Sequence, residues 1–458
     1  MNAILIIALA GIASLFTGVF QLRRLILPVT VLACAAALFV ILTNLNGDYS
    51  KLMQGMLQFD VIATVFTALM LCITIFIFLF AKYYYDTATE HLADIYALLL
   101  FSLAGAIILV SFNNLVMLFM GVEILSIPLY ILAASNRKNL LSNEAGLKYF
   151  IMGAFASSFL LLGITFIYGV TGSFSLDVIT EYMLQTNTVS VLFTAGCLLI
   201  ASAFIFKVSA VPFHSWAPDV YEGSPTIITA FMSTVVKTAA FGAFLKFIIV
   251  CSQSNPELWY NVLSVVAILT MILGNAVALY QTNLKRMLAY SGIANAGYVM
   301  IALATVQSIT YQYILFYMAS YSIATLVAFI IYFVVKKQNN RVDIDGLRGL
   351  AAGNKVLAVT LCFAMLSLAG IPPMAGFIGK YGIFANALAQ GYTWLVLVAI
   401  INSLIGVYYY FRVMASCFQS AENATVVRTS TLLNILLLLC AALTFVFGIY
   451  PELLFQYL

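Results

Sequence analysis

Glu123, Lys148, Lys207, Lys237 and Lys380 are ionisable residues set inside or beside stretches that are otherwise almost wholly apolar. Glu123 lies in NNLVMLFMGVEILSIPLYILAA, about ten residues into a run of about twenty-two, and Lys237 lies about eleven residues into TIITAFMSTVVKTAAFGAFLKFIIV. At a rise of about 1.5 Å per residue, both fall near the middle of a hydrocarbon layer about 30 Å thick. A charge at that depth costs about 2.5–3.5 kcal/mol on insertion scales, so five of them amount to more than about 12 kcal/mol without partners or water. One carboxylate and several lysines cannot be neutralised pairwise. Burial disfavours an ammonium ion and a nearby carboxylate restores it, so a neighbour can switch the charge of such a lysine. That is the chemistry of a proton carrier. Two other fates compete: a lysine can snorkel to the interface, which stays open for Lys148 and Lys246, and a buried ion pair can be purely structural.

Lys207 opens the stretch KVSAVPFHSWAPDVYEGSP, which holds Pro212, Pro218 and Pro225 together with His214, Asp219 and Glu222. Each proline removes a backbone donor and clashes with the preceding turn, so a helix breaks here. Irregular backbone at membrane depth is tolerated where it is buried in protein or lines a water-filled cavity; the competing reading is a loop outside the membrane. His214, with an ordinary pKa near 6.5, could link such a cavity to the lysines or be a packed loop residue. SLAGIPPMAGFIGK gives a second break at Gly370 to Pro373, with Lys380 two turns later. Asn295 and Tyr298, in LAYSGIANAGYVM, make an uncharged polar spot that could hold water, although such residues are more often packing contacts. His91, in YYYDTATEHLAD, reads as a solvated loop residue.

The elements that position these residues follow from composition. Hydrophobic residues make up 64% of the chain and charged ones 8%, against about 25% charged in a soluble domain. The expectation is an all-α polytopic membrane protein of about fourteen spans. They run roughly over 2–21, 25–44, 58–82, 94–111, 113–134, 145–170, 188–209 with the first break, 226–250, 258–280, 286–305, 310–335, 354–390 with the second, 393–416 and 431–450. The amino terminus lacks a basic leader and a cleavage site and is expected to form the first span. The two breaks are an odd number of spans apart and so oppositely oriented, the mark of an inverted-repeat transport protein. The expected organisation is an N-terminal three-helix segment (1–93), two inverted five-helix repeats (94–252 and 253–417), each with a discontinuous helix, and a C-terminal helix (418–458).

One set of alternate connections carries Arg23, Arg24, Lys82, Arg137, Lys138, Lys285, Arg286, Lys336, Lys337, Arg341, Arg348 and Arg428, and the other carries Lys51. The first set is then cytoplasmic and both termini lie on the opposite face. This asymmetry accounts for the +4 net charge without a nucleic-acid partner. Cys34, Cys72, Cys197, Cys251, Cys362, Cys417 and Cys440 are scattered with no CxxC pair, and no Gly-rich phosphate loop is present. No cofactor or metal is therefore expected in this chain.

On GVEILSIPLYIL, EAGLKYF, FKVSAVPFHSWAPDVYEGSPT, NLKRMLAYSGIANAGY and SLAGIPPMAGFIGK, the chain resembles the antiporter-like membrane subunits of respiratory complex I, the proton-pumping NADH-quinone oxidoreductase. It is most similar to the subunit N branch, over nearly its whole length. The resemblance implies that Glu123 pairs with Lys207, that Lys237 is the central lysine and Lys380 the broken-helix residue of the second half, and that Lys148 and His214 play secondary parts. A lysine at the Lys380 position distinguishes this branch from the sister subunit M and from multi-subunit sodium-proton antiporters, which typically have glutamate there. A sister with the same lysine, subunit L, carries a lateral helix after its last shared span, not expected here beyond Leu458. Asn295 departs from the family, whose members often have histidine.

The function implied is proton translocation coupled to NADH oxidation and quinone reduction, with FMN, iron-sulfur clusters and quinone in partner subunits. Other membrane and peripheral subunits of the complex and the lipid bilayer are the expected partners, and the cell inner membrane the expected location. Separation of Glu123 from Lys207 would release a proton towards Lys237, with ejection through Lys380. The rival reading is a cation-proton antiporter subunit not linked to electron transfer, and a purely structural scaffold is the third.

Overall fold

A computed structural model describes residues 2–43, 51–85, 91–185, 190–253, 255–307, 309–339, 343–420 and 427–455; Arg341 lies outside them. The described chain is almost entirely helical. Its helices are α1 (Asn2–Val19), α2 (Ile26–Thr43), α3 (Val61–Tyr84), α4 (Leu92–Val110), α5 (Leu115–Ala133), α6 (Leu140–Thr171), α7 (Leu176–Gln185), α8 (Val191–Lys207), α9 (Trp216–Gly223) and α10 (Thr226–Phe231). The series continues with α11 (Lys237–Cys251), α12 (Pro256–Tyr280), α13 (Leu284–Ala304), α14 (Thr310–Asn339), α15 (Leu350–Gly353), α16 (Lys355–Ala369), α17 (Ala375–Ala389), α18 (Thr393–Phe418), α19 (Thr431–Ile449) and α20 (Glu452–Phe455). A π-helical turn, Met232–Val236, joins α10 to α11 in one rod from Thr226 to Cys251.

Among the described residues, twelve helices are long and apolar enough to cross a membrane, and two shorter apolar helices, α8 and α16, end at the two breaks. These account for the fourteen spans. In hydrocarbon every backbone group must be satisfied internally, which leaves helices as the solution for such apolar segments. Many starts are capped by a side chain: Asp60 Oδ1 accepts from Ala63 N at 2.7 Å, Asn114 Oδ1 from Val116 N at 2.8 Å and Asn354 Oδ1 from Leu357 N at 3.2 Å.

Three details depart from the sequence reading. The sixth span begins at Leu140, some five residues before the expected 145, because Asn139 caps it and Glu144 and Lys148 pair along its surface. The connection after it contains the short helix α7. A two-stranded antiparallel hairpin pairs Lys51 with Gln58 and Leu52 with Leu57, so the third helix begins at Val61 and Gln58, expected to open that span, belongs to the hairpin.

The chain forms two compact units. One comprises Met1–Trp216 and Gly223–Val262, and the other Ala217–Glu222 and Leu263–Leu458. In the first, α4 and the α10–α11 rod are buried almost throughout and form its centre. Backbones there meet closely: a Cβ added at Gly105 would lie 2.3 Å from Leu125 N, so α4 and α5 pack only with glycine at that point. In the second, α13 and α14 are the buried centre, with α16 to α19 packed around them.

Candidate functional site

Lys207, Lys237 and Lys380 expose 4%, 2% and 6% of their surface. None snorkels.

Lys207 is in the last turn of α8, where the chain leaves the helix. The negative end of a helix dipole favours a cation there. The backbone groups freed by the break are taken up locally: Val208 N donates to Phe204 O at 2.9 Å, Ala210 N to Ile205 O at 2.9 Å, and the Trp216 indole N–H to Phe206 O at 3.2 Å. The ammonium donates to Ser126 Oγ at 2.5 Å and lies 5.8 Å from the centre of the Tyr149 ring. Ser126 in turn donates to the carbonyl of Val122, one turn back in α5.

Glu123 is half-buried on the same helix, and its carboxylate accepts from the Ser157 hydroxyl of α6. The implied Glu123–Lys207 pair is not a direct ion pair among the described residues: each charge is held by its own serine, Lys207 by Ser126 and Glu123 by Ser157. A cavity of about 20 Å³ borders Lys207, Ser157, Tyr130 and Val122. A water molecule needs about 10–15 Å³ measured this way, so the cavity has room for one between the ammonium and the serine that holds the carboxylate. This geometry suits two charges whose contact can be made and broken.

Lys237 directly follows the π-helical turn. Such turns are rare and recur at functional positions. The Ala230 carbonyl at this turn accepts from Ser233 Oγ at 3.0 Å and Thr234 Oγ1 at 2.6 Å, and Thr238 Oγ1 donates to Thr234 O at 2.8 Å. The lysine thus stands in a hydroxyl-bearing segment of a helix that is otherwise apolar.

Lys380 reaches back across the second break. Its Nζ donates to the carbonyls of Leu368 at 2.9 Å and Ala369 at 3.0 Å, the last of α16, and to Ser403 Oγ at 3.4 Å. These carbonyls have no helical partner, so the ammonium caps the negative end of a half-helix. Gly370 makes this possible: its φ is +79°, and a Cβ there would lie 2.8 Å from Lys380 Cδ and 3.2 Å from Nζ. Tyr298 faces the ammonium at 4.8 Å from its ring centre.

Behind Tyr298 runs a buried polar network. Asn275 Nδ2 donates to Tyr298 OH at 3.3 Å and Asn275 Oδ1 accepts from Tyr409 OH at 2.9 Å. Asn295 Nδ2 donates to Ser291 O at 2.9 Å and Tyr410 OH at 3.2 Å, while its Oδ1 accepts from Tyr317 OH at 2.7 Å; Ser291 Oγ and Tyr410 OH lie 2.5 Å apart. Side chains therefore occupy the positions at Asn295 where the sequence suggested a water.

Lys148 is not in the interior. Its side chain is 41% exposed and pairs with Glu144 one turn earlier at 2.6 Å. His214 is half-buried in the turn between α8 and α9. Asp219 and Glu222, from the first break, are held by Arg286, whose Nη1 lies 2.7 Å from Asp219 Oδ1 and 2.9 Å from Glu222 Oε2; Asn283 Nδ2 donates to Glu222 Oε1 at 2.8 Å. Lys246, for which snorkelling was open, is buried against Asp60 at 2.8 Å.

The family model described as NADH:quinone oxidoreductase/Mrp antiporter, TM, matches residues 112–406. NADH-quinone oxidoreductase subunit N of Cytophaga hutchinsonii is 42% identical over 460 residues, covering 100% of this chain and 99% of that protein. The same-named protein of Flavobacterium johnsoniae is 38% identical over 466 residues, covering 100% of both. Among solved structures, a chain of respiratory complex I from Thermus thermophilus with bound Aureothin superposes with a TM-score of 0.85 at 32% identity, over 99% of this chain and 98% of that one. A chain of the Mrp complex from Dietzia sp. DQ12-45-1b shares the fold, with a TM-score of 0.88 at 20% identity over 99% of this chain and 95% of that one.

Proposed function

Because the chain belongs to the NADH:quinone oxidoreductase/Mrp antiporter family, we propose that it is a proton-translocating membrane subunit of an NADH-quinone oxidoreductase, coupling redox chemistry in partner subunits to proton movement. The observation that carries this reading is the burial of Lys207, Lys237 and Lys380 in apolar helices, Lys237 in a helix long enough to cross a membrane and the other two at the breaks of interrupted ones. Full-length similarity to proteins named as complex I subunits favours this over a free-standing antiporter, since the Mrp likeness is one of fold.

In this reading Glu123 and Lys207 are the switch. With the carboxylate close, the ammonium form of Lys207 is stabilised; when the carboxylate moves off Ser157 and away, that stabilisation is lost and Lys207 gives up a proton. Ser126 and Ser157 hold the two groups separately, and the cavity between Lys207 and Ser157 has room for one water that would connect them without fusing them into a permanent pair. That proton passes towards Lys237, the central lysine of the first unit, and one is ejected through Lys380 of the second to the non-cytoplasmic side, the lysines being loaded from the cytoplasmic side. Lys148 and His214 stand closer to the periphery and play secondary parts. Flavin, iron-sulfur clusters and the quinone site belong to partner chains. The domain boundaries near residues 93, 252 and 417, the inner-membrane location and the placement of both termini on the non-cytoplasmic side complete the proposal.

The test is to tag the chain, solubilise membranes gently, purify it, and assay the eluate for NADH-dependent quinone reduction. Activity with a large set of co-purifying chains is the expected result. An inactive eluate with a few apolar partners, from membranes that themselves oxidise NADH through an intact complex, would favour the antiporter instead.

A further inference from the structure

Tyr130 stands one turn beyond Ser126 on α5, and the scheme above gives it no part. Glu123, Ser126 and Tyr130 are three and four residues apart, which places them on one face of the helix. Lys207 meets that face at Ser126, and Ser157 of α6 meets it at Glu123. Tyr130 is 9% exposed. A tyrosine buried to that degree ordinarily finds its hydroxyl a partner.

Helix α6 fixes where that hydroxyl sits. The Tyr130 ring lies edge-on to Tyr149, with ring centres 4.8 Å apart at 85°, and to Phe150 at 5.8 Å and 74°. Its hydroxyl rests against Gly153: a Cβ added there would overlap the Tyr130 oxygen and lie 2.6 Å from Cζ. Glycine therefore makes the room the hydroxyl occupies. Gly153 and Ser157 are one turn apart on α6, so the hydroxyl comes to rest a turn from the serine that holds Glu123. Tyr149 in turn stacks on Trp216 at 4.7 Å and 11°, and the Trp216 indole N–H donates to Phe206 O beside Lys207.

The cavity of about 20 Å³ beside Lys207 takes its polar side chains from Lys207, Ser157 and Tyr130, and the rest of its wall is apolar, with Leu109, Val122 and Leu160 among it. A buried water takes two to four polar partners, typically about three. The hydrogens of these three groups suit one water. The Ser157 O–H is donated to Glu123, so the Ser157 oxygen is left to accept. The Ser126 O–H is donated to Val122 O while its oxygen accepts from Lys207, so in the hydrogen bond between Tyr130 and Ser126 the tyrosine donates. The Tyr130 oxygen is then also left to accept. A water that accepts from the Lys207 ammonium and donates to Ser157 and Tyr130 leaves none of these groups unmatched.

We infer that Tyr130 is a positioning residue of the Glu123–Lys207 switch: its hydroxyl, in the room left by Gly153, orients the cavity water with its oxygen towards the Lys207 ammonium. The inference rests on the reading of Glu123 and Lys207 as a switch. With both hydrogens of the water taken, the ammonium is linked through the water and Ser157 to the carboxylate. Without the Tyr130 hydroxyl one hydrogen is left over, and the water keeps two partners, the fewest that hold a buried water. The link is then made less of the time, and the carboxylate supports the ammonium less. No other charge takes its place on the helices around Lys207. Helix α5 presents Glu123 and Tyr130, α6 presents Tyr149, and α11 meets α8 with Phe244 and Phe247 at Phe204 and with Cys251 at Cys197.

The test measures proton pumping and NADH oxidation together, over a series of pH values, in sealed vesicles holding the assembled complex with Tyr130→Phe, Gly153→Ala or, as reference, Glu123→Gln. Tyr130→Phe keeps the ring and its packing, so it assembles even if Gly153→Ala does not. Protons pumped per NADH are expected to fall about two- to tenfold in both, the factor in population that one hydrogen bond carries. In Tyr130→Phe, pumping is also expected to fade at a lower pH than in wild type, because the ammonium form has lost support. Wild-type pumping in Tyr130→Phe or in an assembled Gly153→Ala complex, beside an impaired Glu123→Gln, would overturn the inference. So would a Tyr130→Phe complex that pumps less by one constant factor at every pH, which would make Tyr130 a packing residue. Wild-type pumping in Glu123→Gln would overturn the reading beneath the inference, and the inference with it.

Discussion

Replacing Gly370 with alanine should disable Lys380 without touching it. The backbone at Gly370 has φ +79°, a left-handed conformation that costs an L-residue about 1–2 kcal/mol. The new Cβ would lie 2.8 Å from Lys380 Cδ, well inside the roughly 3.5–4.0 Å at which carbon atoms rest. The lysine must swing away, and its Nζ leaves the carbonyls of Leu368 and Ala369. A hydrogen bond to a charged group is worth about 1.5–3 kcal/mol, so with partial replacement the total cost is about 2–4 kcal/mol. Gly370→Asn separates the two contributions, because asparagine tolerates the left-handed region while still carrying the Cβ. Both variants should assemble and oxidise NADH but pump fewer protons per NADH in sealed vesicles, with Gly370→Asn the more thermostable. An assembled Gly370→Ala complex that pumps like wild type would refute the claim that Lys380 must sit on the end of α16.

Three further outcomes follow from the same geometry. Ser126→Ala removes the 2.5 Å partner of the Lys207 ammonium; it should cost about 1.5–3 kcal/mol of stability and reduce pumping, read by thermal melting of the complex and by the vesicle assay. Tyr317→Phe leaves Asn295 Oδ1 without its 2.7 Å donor and should cost about 1–3 kcal/mol while leaving Lys380 in place, seen as a lower melting temperature with pumping retained. Lys148→Gln breaks a largely solvated pair with Glu144 and should change stability by about 0.5 kcal/mol or less in the same melts.

The spans, the two breaks and the buried charges were legible in the sequence because each rests on a strong local signal. Twenty apolar residues leave a segment few alternatives to crossing the bilayer, adjacent prolines end helices wherever they fall, and a charge in an apolar run is conspicuous. The family was legible for the same reason, since its motifs surround those breaks and charges.

What escaped depends on direction and on distant partners. Lys148 and Lys207 look alike as lysines beside apolar runs, yet one is on the surface with Glu144 and the other is enclosed. When nearly every position of a helix is apolar, periodicity no longer tells which face is inside. Ser126 holds Lys207 and Ser157 holds Glu123, but serine in an apolar helix usually bonds its own backbone and attracts no notice. Tyr317, Tyr409, Tyr410 and Asn275 join Asn295 and Tyr298 only because four helices, α12, α13, α14 and α18, converge. Asp60 and Lys246 are distant in sequence, so their pairing has no local signature. The π-helical turn before Lys237 has none either, beyond the Ser233–Thr234 pair whose hydroxyls both turn back to Ala230.

Lys237→Ala is the most direct test of the central claim that buried lysines in this chain carry protons. Proton pumping and NADH-quinone activity would be measured side by side in sealed vesicles containing the fully assembled complex. Abolished or sharply reduced pumping, with the variant chain present at wild-type level, is the predicted result. Wild-type pumping by that complex would contradict the account.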